Sequence, residues 1–347
     1  MKKILLVMPK FFDYEMRFAE SLSKMGDVVS VVYDENKFFL PRIHIRVFLL
    51  IIRFILSCVD CYWLWKKYYR LASVFSLRYA SSSGFEKYIL EHIPVKQVDL
   101  VVVVKGFGFS SGLVQEIKEK CKPERMVLYQ WDIIDRFPQV IEIYSLFDRV
   151  FTFERNDLEK WRGSLYLPTP VDMTRIISIS KELINKESPK IDFCYVGSFT
   201  FYRFFKLKAL KRNLKKSHCK FTFILVTKSK LLSRIFPDVS NEVITETERV
   251  KLYLNSKYVV ELGHPGQTGL TQRCLESFVC QRPVYYVGDY NKLSLDAHFS
   301  KFIFGRGQVA FSMEINDGSI SEVFKGENNR FLDCYSYDYW ADRVTNS

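Results

Sequence analysis

The run Leu100-Val101-Val102-Val103-Val104 decides the fold class of this chain. All five residues are apolar and four of them are β-branched, so a strand built from them has to be buried on both faces. Strands of this kind are typical of parallel sheets that helices cover on both sides. Lys105-Gly106 follows immediately, and it marks the loop at the carboxyl end of that strand.

Strand and helix patterns alternate on both sides of this run. Further strands are predicted at residues 4–7, 28–32, 126–129 and 150–153, and helices at residues 15–25, 43–76, 84–93 and 111–120. Gly26 is predicted to close the first of these helices as a left-handed cap. A second series follows, with strands at 191–196, 221–226, 257–262 and 284–287 and helices at 203–216 and 269–280. Such alternation predicts doubly wound sheets.

We therefore predict an α/β fold with two Rossmann-like, doubly wound domains that face each other across a cleft. Leu167-Pro168-Thr169-Pro170 interrupts the rhythm, and a polar, Lys-rich stretch follows that ends in Ser188-Pro189-Lys190. The predicted division is a first domain at 1–170, a linker at 171–190, a second domain at 191–327, and a segment at 328–347 that packs back on the first domain.

Composition limits the classes of partner. The 347 residues include 51 Lys and Arg against 39 Asp and Glu, which gives a net charge of +12. That charge suits a phosphorylated substrate or an anionic membrane surface. A nucleic-acid partner is not predicted, because the basic residues are dispersed and no recognisable nucleic-acid module is present. The eight cysteines form no framework, and the lone Cys58-Val59-Asp60-Cys61 is a weak zinc motif, so neither a metal site nor a cofactor is predicted.

One apolar stretch raises the question of a membrane. Residues 47–65 read VFLLIIRFILSCVDCYWLW, with Arg53 and Asp60 inside the stretch. Central charges of this kind disfavour a spanning helix. Cations and aromatic residues flank it, namely Arg42, Arg46, Lys66, Lys67, Arg70, Tyr62, Trp63, Trp65, Tyr68 and Tyr69. Two interpretations remain: a helix lying on a membrane surface, or a helix packed on the protein core.

The N-terminal residues indicate which cellular location to expect. Its apolar run, Ile4 to Met8, is shorter than the hydrophobic region of a signal peptide and is interpreted as a first strand. The expected location is the cytoplasm, with a peripheral attachment at the inner face of the cytoplasmic membrane as a further expectation.

Residues 261–276, ELGHPGQTGLTQRCLE, carry the strongest binding signal. Glycines allow backbone N–H groups to approach an anion closely, and the helix that opens near Gly269 adds partial positive charge. Thr268 and Thr271 have hydroxyl groups that could donate hydrogen bonds to the same anion. This combination predicts a site for nucleotide phosphates.

Two charged residues follow in the first turns of the same helix. Arg273 could pair with a phosphate, and Glu276 could accept both hydroxyl groups of a ribose. Three positions apart, they could also form a surface ion pair with no ligand.

This segment resembles the donor-binding segment of GT-B glycosyltransferases, and in particular those of bacterial capsule and lipopolysaccharide biosynthesis. The matching pieces are HPGQTGLTQRCLE and CQRPVYY from residue 264 onward, with MKKILLVMPKFFDYE, DLVVVVKG, VLYQWDIIDRFP, FDRVFTFERNDLE and FCYVGSF before them. Related retaining transferases have a glutamate eight positions before the helix glutamate, whereas this chain has Thr268 there. The donor sugar and the choice between retention and inversion therefore stay open.

The resemblance implies a set of donor-binding residues, and the residue chemistry supports it. The turn after the first strand of the second domain contributes Gly197 and Ser198, and Arg203 supplies charge. The complete predicted donor set is Gly197, Ser198, Arg203, His264, Gly266, Gln267, Thr268, Gly269, Leu270, Thr271, Arg273 and Glu276. His264-Pro265 also occurs in transferases that use cytidine-monophosphate-activated sugars, so a monophosphate-linked donor stays open.

Three loops of the first domain are expected to face the cleft. An inverting transfer needs a base for the acceptor hydroxyl, and Asp132 and Asp13 are the candidates, with His264 as a possible helper. Asp132 is equally interpretable as a turn or cap residue. The predicted acceptor-side residues are Tyr14, Lys105, Gly106, Tyr129 and Trp131.

The resulting expectation is a glycosyltransferase that moves a sugar from a nucleotide-activated donor to a lipid-linked glycan acceptor during assembly of a bacterial surface polysaccharide. The alternative is a non-catalytic nucleotide- or glycan-binding member of a polysaccharide assembly complex, which the missing glutamate at position 268 favours.

Overall fold

The fold consists of two parallel six-stranded sheets covered by helices in a computed structural model of the chain. The structure describes residues 1–11, 13–59, 61–94, 97–183, 189–236, 238–288, 293, 299, 303–304 and 333–346. The predicted boundary at 327/328, Ser188 of the predicted linker, and Asp60 lie outside the described residues. The prediction of an α/β fold with two doubly wound sheets is confirmed.

The first sheet has the strand order β2-β1-β3-β4-β5-β6, and every neighbouring pair is parallel. Its strands are β1 (Lys2–Pro9), β2 (Gly26–Tyr33), β3 (Leu100–Val104), β4 (Arg125–Gln130), β5 (Arg149–Thr152) and β6 (Ser164–Tyr166). In β3, Val101 and Val103 pack into the core on one face, and Leu100, Val102 and Val104 pack into the core on the other. The burial of both faces explains the uninterrupted apolar run.

Helices connect these strands. They are α1 (Tyr14–Ser23), α2 (Glu35–Phe38), α3 (Ile43–Ser57), α4 (Tyr62–Ser83), α5 (Phe85–His92), α6 (Ser111–Cys121) and α7 (Arg155–Leu158). Two 3-10 segments, Ile134–Arg136 and Pro138–Leu146, follow β4. Helix α6 begins where Ser110 accepts a hydrogen bond from the Leu113 N–H, the usual arrangement of an N-cap serine.

The second sheet has the order β12-β11-β10-β7-β8-β9 and is also parallel throughout its pairings. Its strands are β7 (Ile191–Ser198), β8 (Phe221–Val226), β9 (Val239–Ser240), β10 (Ser256–Glu261), β11 (Val284–Tyr286) and β12 (Ile303–Phe304). Its helices are α8 (Met173–Leu183), α9 (Phe201–Lys216), α10 (Lys230–Ile235), α11 (Glu246–Leu254) and α12 (Gln272–Val279). Thr245 and Glu248 form a capping box that fixes the start of α11.

The strand order places one topological switch point in each sheet. In the first sheet the chain leaves β1 for β2 and then returns to β3 on the other side of β1. In the second sheet β10 lies beside β7 on the side opposite β8. Ligands of doubly wound sheets bind at the carboxyl ends of the strands that flank such a point. The sequence predicts site residues in the loops after β1, β3, β7 and β10, and also in the loop after β4.

The last described helix, α13 (Tyr337–Asn346), packs on the first sheet although it follows the second sheet in the chain. The ring centroids of Trp340 and Phe18 of α1 lie 4.5 Å apart, and the Ser21 hydroxyl donates a hydrogen bond to Asp338. The C-terminal segment thereby ties the two halves of the chain together. The domain boundaries themselves stay a prediction.

Three local predictions need correction. Gly26 does not cap α1, which ends at Ser23; it opens β2, where a Cβ atom would lie 2.2 Å from the Lys2 carbonyl oxygen. The predicted helix at 43–76 is two helices, α3 and α4. The predicted linker contains helix α8, whose Ile176 packs into the core of the second sheet. The spacing of apolar residues in the sequence reveals neither the steric contact between Gly26 and Lys2 nor the sheet on which α8 packs.

None of the helices in the described part of the chain combines the length and the apolar character needed to cross a membrane.

Candidate functional site

A cavity of about 140 Å³ lies between the two sheets, and we call it the arginine cavity. Helices α3 and α4 and the 3-10 region after β4 form one side, and the start of α9 and the loop after β10 form the other. Its lining residues are Arg53, Trp65, Tyr68, Tyr69, Ala72, Ser73, Ser76, Arg136, Phe137, Thr200, Tyr202, His264 and Pro265. Cations and aromatic rings from both halves of the chain thus meet at one place.

A chain of ion pairs fixes Arg136 at the cavity. Lys105 Nζ lies 2.6 Å from Glu35 Oε1 and 3.2 Å from Asp132 Oδ2, and Arg136 donates to Asp132 Oδ1 over 2.7 Å. Burial alone would raise the pKa of the Asp132 carboxyl, but Arg136 and Lys105 outweigh burial and lower that pKa. Asp132 is therefore held ionised between two cations, which makes it a weak base and a strong positioning group for Arg136.

Arg53 reaches the same cavity from α3. Its guanidinium group forms no ion pair or hydrogen bond with the described residues, and burial lowers its pKa. The nearby Arg136 and Arg203 lower the pKa further. A guanidinium group without a carboxylate partner, close to two others, favours an anionic ligand.

Arg203 of α9 lies at the carboxyl end of β7 and is only 8% exposed. Its Nη1 donates to the Ser198 hydroxyl oxygen over 2.7 Å and to the Ser198 carbonyl over 3.2 Å, while its buried Nε has no partner in the part of the chain that the structure describes. Thr200 caps α9 by accepting from the Arg203 N–H. The predicted pair of Ser198 and Arg203 is thus assembled next to Thr200 and Tyr202, which line the cavity.

His264 is the member of the predicted catalytic set that lines the arginine cavity. Burial lowers the pKa of His264 well below its ordinary value, and Arg136, Arg203, Arg53 and Arg273 lower it further. The imidazole is therefore neutral at pH 7. A neutral imidazole can accept a proton from a hydroxyl group, or donate a hydrogen bond to a phosphate oxygen.

The glycine-rich loop already holds an anion, the carboxylate of Glu154 at the end of β5. Glu154 is 1% exposed, and its Oε2 accepts from the N–H groups of Thr268 over 2.8 Å and Gly269 over 2.9 Å. The Thr268 hydroxyl donates to Oε1. The sequence interpretation of this loop as a phosphate site is revised: in this structure an acidic side chain of the first domain takes the place of the phosphate.

Arg273, predicted to pair with a phosphate, is also committed within the protein. Its Nη1 lies 2.8 Å from Glu261 Oε2, its Nε donates to the Val196 carbonyl, and its guanidinium group lies 4.3 Å from the centre of the Tyr195 ring. The Thr271 hydroxyl donates to the same Glu261 oxygen. Arg273 and Glu261 thereby hold α12 against the carboxyl ends of β7 and β10.

Two predicted glycines are required by these contacts. A Cβ atom on Gly197 would lie 2.7 Å from Arg273 Nη2, and one on Gly266 would lie 2.1 Å from the Tyr62 ring. Gly266 also has a φ angle of 86°, which L side chains rarely adopt. Gly266 lets the loop after β10 pack closely on α4, and Gly197 lets the end of β7 pack closely against Arg273.

The predicted role of Glu276 in ribose binding is revised in the same way. The carboxylate is 3% exposed, and Arg249 Nε and Nη2 each donate to it over 2.8 Å. Arg249, not Arg273, is therefore its partner. Gln267 and Leu270 lie nearby in the loop and line a pocket of about 10 Å³, which is room for about one water molecule.

The residues predicted to bind the acceptor or to catalyse the transfer from the first domain lie in different places. Tyr129 is fully buried and donates to the Pro168 carbonyl, so it belongs to the core and cannot contact an acceptor. Asp13 is exposed and lines neither the arginine cavity nor the second cavity described below, so its catalytic role stays a prediction. Tyr14 and Trp131 form an aromatic cluster with Phe11, with ring centroids 5.5 to 5.9 Å apart.

Lys105 and Gly106 occupy different places. Lys105 belongs to the ion-pair chain behind Arg136, and Gly106 lines a second cavity described below. Sequence reasoning did not assign Arg53, Arg136 or Glu154 to the site. Arg53 does stand out in the sequence as a lone cation in an apolar helix. The same charge also disfavours a membrane-spanning helix, and that interpretation does not assign Arg53 to a binding site.

The comparisons with known proteins concern fold. No protein-family model matches the sequence, and no curated protein matches it. Among solved structures, the N-terminal domain of trehalose-6-phosphate phosphatase from Candida albicans is similar, with a TM-score of 0.54 and 9% identity over 99% of this chain and 97% of that chain.

Two further similar structures have lower scores. An α-glucosyltransferase in complex with UDP and DNA has a TM-score of 0.49 and 11% identity, covering 99% of this chain and 96% of that chain. The UDP-GlcNAc 2-epimerase from Neisseria meningitidis has a TM-score of 0.45 and 11% identity, covering 99% and 98%. The chain has the GT-B architecture, defined by two parallel doubly wound sheets on either side of a cleft.

Proposed function

We propose that this protein is a glycosyltransferase that moves a sugar from a nucleotide-activated donor to a glycan acceptor. The observation that carries the proposal is the arginine cavity at the facing carboxyl edges of the two sheets. Arg53 and Arg136, which line this cavity, can neutralise the charge that develops on a departing nucleoside diphosphate, without a metal ion. Trp65, Tyr69 and other rings around them can exclude water from the anion.

His264 supplies the remaining chemistry in this proposal. It lies in the same cavity as the arginines, and its imidazole is neutral at pH 7. A bound diphosphate offsets the positive charge of the nearby arginines and so raises the pKa of His264 again. The imidazole then accepts the proton of the acceptor hydroxyl, whose oxygen forms the new bond to the anomeric carbon as the bond from that carbon to the nucleotide breaks. Asp132 has a different part, because two cations hold it and it orients Arg136.

A second candidate function is supported by a separate observation. The described residues that line the arginine cavity include no Asp or Glu. A protein that binds a nucleotide or a glycan within a polysaccharide assembly complex, without catalysis, needs no base there. Release of nucleotide from a nucleotide sugar by the purified protein distinguishes the two functions, since a binding protein releases none.

Replacing Arg53, which lines the cavity, tests the anion site. Arg53→Gln should weaken binding of a nucleoside diphosphate about ten- to a hundredfold, because a charge-assisted hydrogen bond contributes about 1.5–3 kcal/mol. Isothermal titration with UDP, CDP and GDP measures the effect. Arg46→Gln is the matched control, since Arg46 is exposed on the same helix. Equal affinity of wild type and Arg53→Gln for every nucleotide would contradict the proposal.

We further infer that the acceptor is lipid-linked and that the protein works at the inner face of the cytoplasmic membrane during assembly of lipopolysaccharide, O-antigen or capsule. The support is the exposed face of α3, which we call the α3 ridge. Its apolar side chains are 42% to 68% exposed, and they are Ile43, Val47, Phe48, Leu50, Ile51, Phe54 and Ile55. An apolar patch of this kind with cations beside it suits the headgroup layer of an anionic bilayer.

The surroundings of the α3 ridge differ from the sequence expectation in part. Trp65 and Tyr69 are buried against Leu56 and face the protein, not a membrane. Lys66 lies 3.0 Å from Asp135 and is committed to that ion pair. Arg42, Arg46 and Arg70 remain exposed, as does Lys67, whose Nζ lies 3.6 Å from the centre of the Trp63 ring.

Charge reversal of three cations that flank the α3 ridge, one on α3 and two on α4, tests the membrane proposal. The triple variant Arg46→Glu, Lys67→Glu, Arg70→Glu should bind anionic vesicles about a hundredfold less tightly, since each cation near such a surface contributes ~1 kcal/mol. Co-sedimentation with phosphatidylglycerol vesicles measures this at low and high salt. The control reverses three exposed cations elsewhere, Lys118, Lys122 and Arg149. Wild type that stays in the supernatant at low salt refutes the membrane proposal.

A further inference from the structure

A second cavity, of about 200 Å³, lies beside the arginine cavity in the first domain, and we call it the side cavity. Helix α4 runs along both: Tyr69, Ser73 and Ser76 line the arginine cavity, and Leu77 and Ala80, one turn further, line the side cavity. The two cavities are therefore neighbours along one helix.

An aromatic pair forms the wall between the cavities. Phe137 lines the arginine cavity, Phe107 lines the side cavity, and their ring centroids lie 4.3 Å apart. The loop after β3 also contributes Gly106 and Gly108 to the side cavity. The side cavity therefore lies at the carboxyl edge of the first sheet, where ligands of such sheets bind.

The two cavities differ in charge. The described lining of the side cavity includes Glu86 and Glu142 but no Lys or Arg, whereas the arginine cavity has the reverse composition. Its floor consists of Phe107, Phe109 and other apolar side chains. Aromatic rings with a few hydrogen-bond acceptors around them suit the faces and hydroxyl groups of a sugar ring.

The side chain of Gln139 independently indicates that the side cavity binds a ligand. It lines the side cavity, and its buried Oε1 has no hydrogen-bond partner among the described residues. A buried amide oxygen that accepts no hydrogen bond is costly, and native proteins rarely leave one without a purpose. A hydroxyl group of a bound sugar would satisfy it.

We propose that the side cavity binds an uncharged or amino sugar of the acceptor, with its reacting hydroxyl directed past the Phe107–Phe137 wall toward the arginine cavity. The inference rests on the proposed function, because it names the acceptor class for the same transfer. Glu86 and Glu142 discriminate against sugars that carry a carboxylate.

Saturation-transfer NMR with three probes tests the inference: methyl glucoside, methyl glucosaminide and methyl glucuronide. The first two should bind to wild type, and the glucuronide should bind more weakly. Gln139→Leu should weaken binding of the first two about tenfold, while Gln115→Leu, an exposed glutamine on α6, should not. Glu142→Lys, at an exposed position that tolerates charge, should reverse the order so that the glucuronide binds best.

Titration of the same samples with UDP, CDP, GDP and CMP separates the two proposals. If one of these nucleotides binds and none of the three glycosides does, the side-cavity inference is wrong and the donor site stands. The inference is also wrong if Gln139→Leu binds the glycosides as wild type does, or if 1-octanol displaces them and proves the better occupant. If none of the four nucleotides and no glycoside binds, the proposed function fails together with the inference.

Discussion

Removal of the Glu154 carboxylate should destabilise the protein by about 3–5 kcal/mol, since it leaves buried hydrogen-bond donors without an acceptor. In the structure Glu154 accepts from the N–H groups of Thr268 and Gly269 and from the Thr268 hydroxyl, and it also accepts from the Asn156 N–H at the start of α7. Urea unfolding of Glu154→Ala against wild type measures the loss. Glu159→Ala, at an exposed position nearby, should change stability by less than about 0.5 kcal/mol.

The Glu154→Ala variant also shows whether the glycine-rich loop is an anion site that the protein fills with its own side chain. With the carboxylate gone, the N–H groups of Thr268 and Gly269 are open to another anion. Inorganic phosphate should therefore raise the melting temperature of Glu154→Ala more than that of wild type or Glu159→Ala, because a ligand that binds only the folded state stabilises it. Equal shifts in all three proteins would show that the loop has no affinity for anions of its own.

Breaking the Arg273–Glu261 pair should have an effect of similar size. Arg273→Met leaves the Glu261 carboxylate buried without its cation and removes the hydrogen bond to the Val196 carbonyl, so we expect a loss of about 3–5 kcal/mol in the free energy of unfolding. Urea unfolding measures it. Arg234→Met, at an exposed arginine of α10, is the control.

A double variant identifies the cause of that loss. In the Arg273→Met background, Glu261→Gln removes the orphaned charge and should recover on the order of 1–3 kcal/mol. If the two changes simply add their losses, the ion pair is not what stabilises the loops after β7 and β10. Arg273 would then act through its contact with the Tyr195 ring.

The sequence determined the architecture because the architecture follows from burial patterns. The strand at Leu100–Val104 is apolar at every position, and the structure buries its two faces in two different cores. Parallel sheets impose this pattern on each central strand. The pattern also located the loops at the carboxyl ends of the strands, where the predicted residues His264, Ser198 and Arg203 lie.

The tertiary structure alone decided what each charged residue pairs with. From the sequence, Arg273 and Glu276 are neighbours on one helix, yet their partners are Glu261 and Arg249. Glu154 lies 114 positions before Thr268 in the chain but fills the glycine-rich loop. Hydrogen bonds and ion pairs depend on distances of a few ångströms between distant segments, and local periodicity does not contain those distances. The arginine cavity has the same origin: Arg53, Arg136 and His264 come from three separate segments that only the tertiary structure brings together.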